Sequence, residues 1–179
     1  MVRAFIALEL SPEIQQNLKE AQDVLRTSRA HLTFVDPAII HITVKFLGDV
    51  DEKQLQSLIE ALKGIPFAPF HVSATTVTVN NPRRPHTVWC SIVDAGKGNR
   101  LLLLIEDALE PLGFARETRS FTPHATIARV KSPDPSLFTV LGSLRSRTFG
   151  NCTITGLKLK KSTLTPRGPV YEDLLEVTW

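Results

Sequence analysis

Two short stretches place a histidine two residues before a threonine in strand-like surroundings: HITVKF at 41–46 and HATIAR at 124–129. Alternate residues of a strand face the same way. His41 and Thr43 therefore point together, with Ile42, Val44 and Phe46 on the other face, and His124 and Thr126 do the same against Ala125 and Ile127. An imidazole and a hydroxyl on one face make a poor core surface and a natural cleft lining. Imidazole titrates near neutrality, at about pH 6.5, so one neutral and one protonated ring can serve as base and acid in the same step. Threonine hydroxyls can hydrogen-bond phosphate oxygens and stabilise charge that builds on them. Two such units facing across a cleft suit an in-line displacement at phosphorus, one histidine activating the attacking oxygen and the other protonating the leaving oxygen. A cyclic phosphodiester fits best, because its strained ring needs little further activation.

The tripeptide alone is a weak signal. With 17 threonines and five histidines in 179 residues, chance supplies about half an H-x-T. A third copy, His31-Leu32-Thr33, sits just before the breaker Asp36-Pro37 and reads as a surface or edge histidine. What sets the other two apart is the longer H-x-T-h match, with Val44 or Ile127 as h, in two similar halves of the chain. Metal binding is the rival chemistry, but a third ligand is missing and HExxH is absent. Neither Ser162 nor Cys90 sits in a nucleophile-elbow setting, and no phosphate-binding glycine loop is present. The constellation thus implies no metal and no cofactor.

The elements that must position these residues follow from periodicity. Residues 2–9 read as a strand. Ser11-Pro12 opens a helix to about residue 27, apolar at Ile14, Leu18, Ala21 and Leu25. HLTFV is a short strand, and 41–47 is the next. Asp51 opens a second helix, apolar at Leu55, Leu58, Ile59 and Leu62 and stopped by Gly64 and Pro66. FHVSATTVTV and TVWCSIV are strands joined by the loop NNPRRPH. A third helix runs over 98–112, HATIARV is a strand, and 133–144 holds a short helix. The tail predicts two strands, TFGNCTITGLKL and PVYEDLLEVTW. Short strand-to-strand links favour antiparallel pairing over a doubly wound parallel sheet. The expected class is α+β, with two similar halves each supplying one histidine strand.

Composition bounds the rest. The chain is 42% hydrophobic and 22% charged, ordinary for a globular protein. It is long enough for one domain, or two small lobes sharing a core. No apolar run approaches the roughly 20 residues of a membrane span, and the start reads as a strand rather than a signal peptide. Cys90 and Cys152 lie in apolar runs without a CxxC and read as buried free thiols, which fits a reducing cytoplasm. The net charge of +3 permits an anionic ligand. Its excess lies in two stretches that read as basic loops, Arg83-Arg84 and Lys158, Lys160, Lys161 with Arg167.

RAFIALEL, HITVKFLG, FTPHATIARV and LKKSTLTPRGPVYE together resemble the 2H phosphoesterase superfamily, nearly end to end. The likeness is to its RNA 2',3'-cyclic phosphodiesterases, historically called 2'-5' RNA ligases. The resemblance implies a bilobal α+β fold, 1–179, with two antiparallel sheets facing across a cleft and helices packed outside. It implies metal-independent hydrolysis of RNA ends bearing 2',3'-cyclic phosphate to a 2'-phosphate. By the family pattern His41 is the proton donor to the departing 3' oxygen and His124 the acceptor that activates water; spacing alone does not assign the two roles. Thr43 and Thr126 hold the phosphate. Arg129 resembles a family arginine that also reaches phosphate, although strict alternation puts it opposite His124 unless a bulge follows Ile127. Lys45 shares the face of His41 and Thr43 and is either a further substrate contact or a solvated strand-end lysine. A monomer is expected, with no protein partner and no membrane. The same two histidines could join RNA ends through a 2'-5' linkage. The alternatives are an RNA-binding module without chemistry and a cyclic phosphodiesterase acting on a small nucleotide.

Overall fold

A computed structural model of the chain describes residues 1–166 and 168–179; Arg167 lies outside the described residues. The elements in chain order are β1 (Val2–Glu9), α1 (Pro12–Leu25), β2 (His31–Phe34), β3 (His41–Val50), α2 (Glu52–Lys63), β4 (Phe70–Val79), β5 (Thr87–Val93), α3 (Lys97–Leu109), β6 (His124–Ser132), α4 (Ser136–Ser143), β7 (Gly150–Ile154), β8 (Gly156–Thr165) and β9 (Gly168–Thr178). Short 3₁₀ turns lie at Pro37–Ile39 and Glu110–Leu112. None of the described helices is long and apolar enough to cross a membrane.

The helices start where their capping chemistry dictates. The Ser11 hydroxyl accepts from the Ile14 amide at 3.3 Å. The Asp51 carboxylate accepts from the Gln54 amide at 2.8 Å. Each satisfies a donor the first helical turn leaves open. The apolar stripe of α1, Ile14, Leu18, Ala21 and Leu25, is fully buried, each large side chain contributing roughly 1.5–3 kcal/mol. The polar exception on that helix is Gln22. It is buried, and its amide donates to Val35 O at 2.7 Å and Ile127 O at 2.9 Å. That side chain fastens α1 behind the second histidine strand.

All strand pairs are antiparallel, in the order β7-β4-β5-β6-β3-β1-β8-β9, with β2 pairing β6. The two expected sheets are two halves of one curled nine-stranded sheet. They join at β3 and β6, through the single pair Ile42↔Ala125. The run TFGNCTITGLKL is not one strand. It divides at Thr155 into β7, which pairs β4, and β8, which pairs β1 and β9. Each half-sheet therefore claims one side of the break. Gly156 sits at the crossing, where a Cβ would lie 2.0 Å from the Val177 carbonyl oxygen, so the close approach requires glycine.

Two sequence expectations about charge and thiols change. Lys158, Lys160 and Lys161 are strand residues of β8, not a loop, and all three are ion-paired with carboxylates of β1 or β9. Cys90 is buried on the core face of β5, and burial pushes its thiol up to about 12; Cys152 is only half-buried.

Candidate active site

His41 begins β3 and His124 begins β6, next to each other at the seam between the half-sheets. Continuing the antiparallel register from Ile42↔Ala125 sets Thr43 across from His124 and His41 across from Thr126. The two motifs are thus related by a local two-fold axis through that apolar pair. All four polar residues are half-buried, while Ile42, Ala125, Val44 and Ile127 point into the core. The pattern expected from period two holds at these positions.

The two imidazoles are oriented by the same bond. His41 Nδ1 lies 2.8 Å from Ile39 O, and His124 Nδ1 lies 2.7 Å from Thr122 O. A carbonyl oxygen only accepts, so Nδ1 carries the hydrogen in both rings. That leaves Nε2 as the working nitrogen on each side, a base when the ring is neutral and an acid when it is protonated. Thr43 Oγ1 lies 3.0 Å from His41 Nε2. The carbonyl that holds His41 comes from the Pro37–Ile39 turn, capped by the Asp36 carboxylate on the Ala38 amide at 3.0 Å. Burial holds the His41 pKa below the usual imidazole value; the Ile39 carbonyl and Glu9 oppose this, and Lys160 and His124 reinforce it.

Lys45 does not share the face of His41 and Thr43, and this expectation is corrected. The β1–β3 register passes from Ala7↔Thr43 to Ile6↔Lys45, leaving Val44 as an extra residue. Such a bulge resets the alternation. Lys45 turns inward, with its side chain 3% exposed, and bonds Glu106 Oε1 at 3.2 Å and Ala115 O at 2.8 Å. Phe46 takes the outward place instead, its ring 6.0 Å from that of Phe5.

Arg129 is reached by the matching device. The β5–β6 register passes from Trp89↔Thr126 to Val88↔Ala128, with Ile127 as the extra residue. Ala128 turns inward and Arg129 turns out, as the bulge after Ile127 requires. Its guanidinium donates to Thr87 Oγ1 at 3.0 Å and acts electrostatically on Tyr171. The structure therefore brings together His41, Thr43, His124, Thr126 and Arg129, and leaves Lys45 in the core.

Sequence reading missed the aromatic walls. The Trp89 ring lies 4.3 Å from that of His124. The Phe5 ring lies 5.1 Å from that of His41, and Tyr171 stands edge-on to His41 at 5.5 Å. Alternation did offer a signal for Trp89, which shares a face with Ser91 across from His124. Tyr171 gave none, because its strand is far away in the chain.

Comparison with known proteins places the chain in a family. The family model described as LigT like Phosphoesterase matches residues 8–90 and 96–171. An RNA 2',3'-cyclic phosphodiesterase of Archaeoglobus fulgidus is 33% identical over 174 residues, covering 97% of this chain and 98% of that protein. The protein of that name from Methanothermobacter thermautotrophicus is 33% identical over 180 residues, covering 97% and 96%. Among solved structures, TT0787 of Thermus thermophilus superposes with a TM-score of 0.83 at 27% identity, covering 98% of this chain and 97% of that one. Escherichia coli LigT complexed with 3'-AMP gives 0.81 at 18% identity, covering 99% and 97%, a likeness of fold alone.

Proposed function

The chain belongs to the LigT-like phosphoesterase family, and from that membership we propose that it is an RNA 2',3'-cyclic phosphodiesterase. It opens a terminal 2',3'-cyclic phosphate to a 2'-phosphate. The observation that carries this is the pair of imidazoles at one seam, each with Nδ1 tied to a carbonyl and Nε2 left for proton transfer.

In this reading His124 Nε2 takes a proton from water as its oxygen attacks phosphorus. The bond to the 3' oxygen breaks, and His41 Nε2–H protonates that oxygen as it leaves. The Thr43 and Thr126 hydroxyls and the Arg129 guanidinium bind the phosphate oxygens and stabilise the charge that builds on them. A 5'-hydroxyl in place of water gives a 2'-5' linkage by the same transfers. Only the chain's own side chains move protons, so the scheme requires neither metal nor protein partner. It acts as a monomer on RNA ends, and its free thiols fit the cytoplasm.

The test is incubation with an oligoribonucleotide ending in 2',3'-cyclic phosphate, in EDTA, followed by product identification. A 2'-phosphate is the expected product. Tight binding without turnover sinks the enzyme reading in favour of an RNA-binding module. Turnover that vanishes in EDTA sinks the metal-independent scheme.

A further inference from the structure

Of the two basic stretches in the chain, one is neutralised: Lys158, Lys160 and Lys161 all pair with carboxylates, Lys160 with both Glu9 and Asp173. The other is not. Arg83 and Arg84 lie on the loop between β4 and β5, both exposed, and among the described residues neither pairs with a carboxylate. The loop is a fixed turn. Asn81 Oδ1 accepts from the Arg83 and Arg84 amides at 2.9 and 3.3 Å, and Asn80 Oδ1 from the His86 and Thr87 amides at 2.9 and 3.0 Å. Asparagine side chains set turns in this way. The turn is tied to β6, because the Val130 amide donates to His86 O at 2.9 Å. Thr87, which follows it, accepts from the Arg129 guanidinium. Lys131 stands two places beyond Arg129, exposed and also without a carboxylate partner among the described residues. On the other side of Arg129 its cross-strand partner is Thr33 of β2. The third H-x-T, with His31 and Thr33 exposed, therefore borders the same surface.

We propose that the surface running from Arg129 through Lys131 to the turn at 80–86 holds the phosphates of the RNA strand 5' of the cyclic end. This rests on the phosphodiesterase reading above, which seats the cyclic phosphate between His41 and His124 and within reach of Arg129. A 2',3'-cyclic phosphate is a chain terminus, so the rest of the strand leaves it on one side only, and charge selects that side. Along β3, the place beyond His41 and Thr43 is aromatic, Phe46 against Phe5, and the lysines of β8 are held by Glu9, Asp173 and Glu172. Along β6, the places beyond His124 and Thr126 are cations without carboxylate partners. An anionic strand is drawn to the second side, and contacts to its backbone position it without reading its bases. The preferred substrate class is thus the end of an oligoribonucleotide. A cyclic mononucleotide reaches Arg129 and goes no further.

The experiment compares kcat/KM for a 2',3'-cyclic mononucleotide and for a short RNA with the same cyclic nucleotide at its end, from about 50 to 200 mM salt. The RNA is expected to be the better substrate at low salt, with the gain in KM. Three cations on a single strand make its log KM rise with log salt more steeply than that of the mononucleotide, by a slope of about 2. The Arg83→Ala/Arg84→Ala double variant is expected to remove about two thirds of that extra slope and to leave turnover of the mononucleotide at its native value. Lys131→Ala is expected to remove the remainder. Equal kcat/KM on both substrates at every salt concentration overturns the track and leaves the phosphodiesterase reading standing, as does an extra slope that none of these substitutions moves. Hydrolysis of neither substrate overturns that reading instead. Fluorescence anisotropy of the same RNA with a linear 3'-phosphate then decides the track: binding that weakens with salt and in the double variant supports it, and salt-insensitive or absent binding ends it.

Discussion

His41 and His124 stand on neighbouring antiparallel strands, one on each side of the Ile42–Ala125 pair, and each is pinned by its Nδ1 to the carbonyl two residues upstream. The arrangement gives the two rings the same anchor at Nδ1. They differ in environment: Phe5, Tyr171, Glu9 and Lys160 surround the first, and Trp89 lies against the second.

In the proposed scheme, removing either imidazole removes one of two proton transfers. His41→Ala and His124→Ala are each expected to lower kcat about 10²–10⁴-fold, with circular dichroism unchanged. The double variant should be little worse than either single one, because the residues act as a unit. A single variant that keeps most of its single-turnover rate takes that histidine out of the mechanism.

The His41 ring titrates below the ordinary imidazole value of 6.5, chiefly because burial disfavours its charged form. With His41 as donor, the alkaline limb of kcat/KM is expected below pH 6.5. Stability follows the same group. Between the lowered folded value and 6.5 the unfolded chain binds more protons, so the folded state gains stability as pH rises through that window. His41→Gln should flatten that slope in urea titrations across the window, and an NMR titration of His41 at or above 6.5 contradicts both expectations.

Arg129 is expected to act on the phosphate. Arg129→Met should lower kcat/KM about 10–100-fold, the scale of a hydrogen bond to a charged group. Arg129→Lys should recover only part, because the ammonium lacks the planar fork. An unchanged kcat/KM in the Met variant would leave Arg129 a partner of Thr87 only.

The buried Lys45–Glu106 pair is a stability element. Glu106→Ala leaves Lys45 charged without its main partner in the core and is expected to cost about 3–5 kcal/mol, read from urea unfolding. Adding Lys45→Met should restore much of that loss. The same glutamate accepts from the Glu117 amide, so the single variant should also loosen the segment that leads into His124.

Local sequence carried the histidine face well and the bulges poorly. His41, Thr43, His124 and Thr126 are legible because period two is a property of a strand by itself. Lys45 is not, because the extra residue at Val44 is defined only against β1, which the local sequence does not contain. Arg129 was reachable because the mismatch between its expected face and its expected role demanded a bulge at a stated place. The break at Thr155 sits inside a continuous β-rich run and is set by which half-sheet each side joins. The Glu9–Lys160–Asp173 cluster draws on the first strand and the last two, so no window along the chain could have displayed it.

Because the single ladder pair Ile42↔Ala125 joins the half-sheets, His41 and His124 meet across a line that is the shortest ladder of the sheet. A shift of one half-sheet against the other would change the separation of His41 and His124 without breaking any longer ladder. A substrate phosphate gripped from both sides then acts as a clasp across that line. The enzyme's grip on a cyclic end and the stiffness of its own frame become one quantity, and amide exchange at Ile42 and Ala125 is where that quantity can be read.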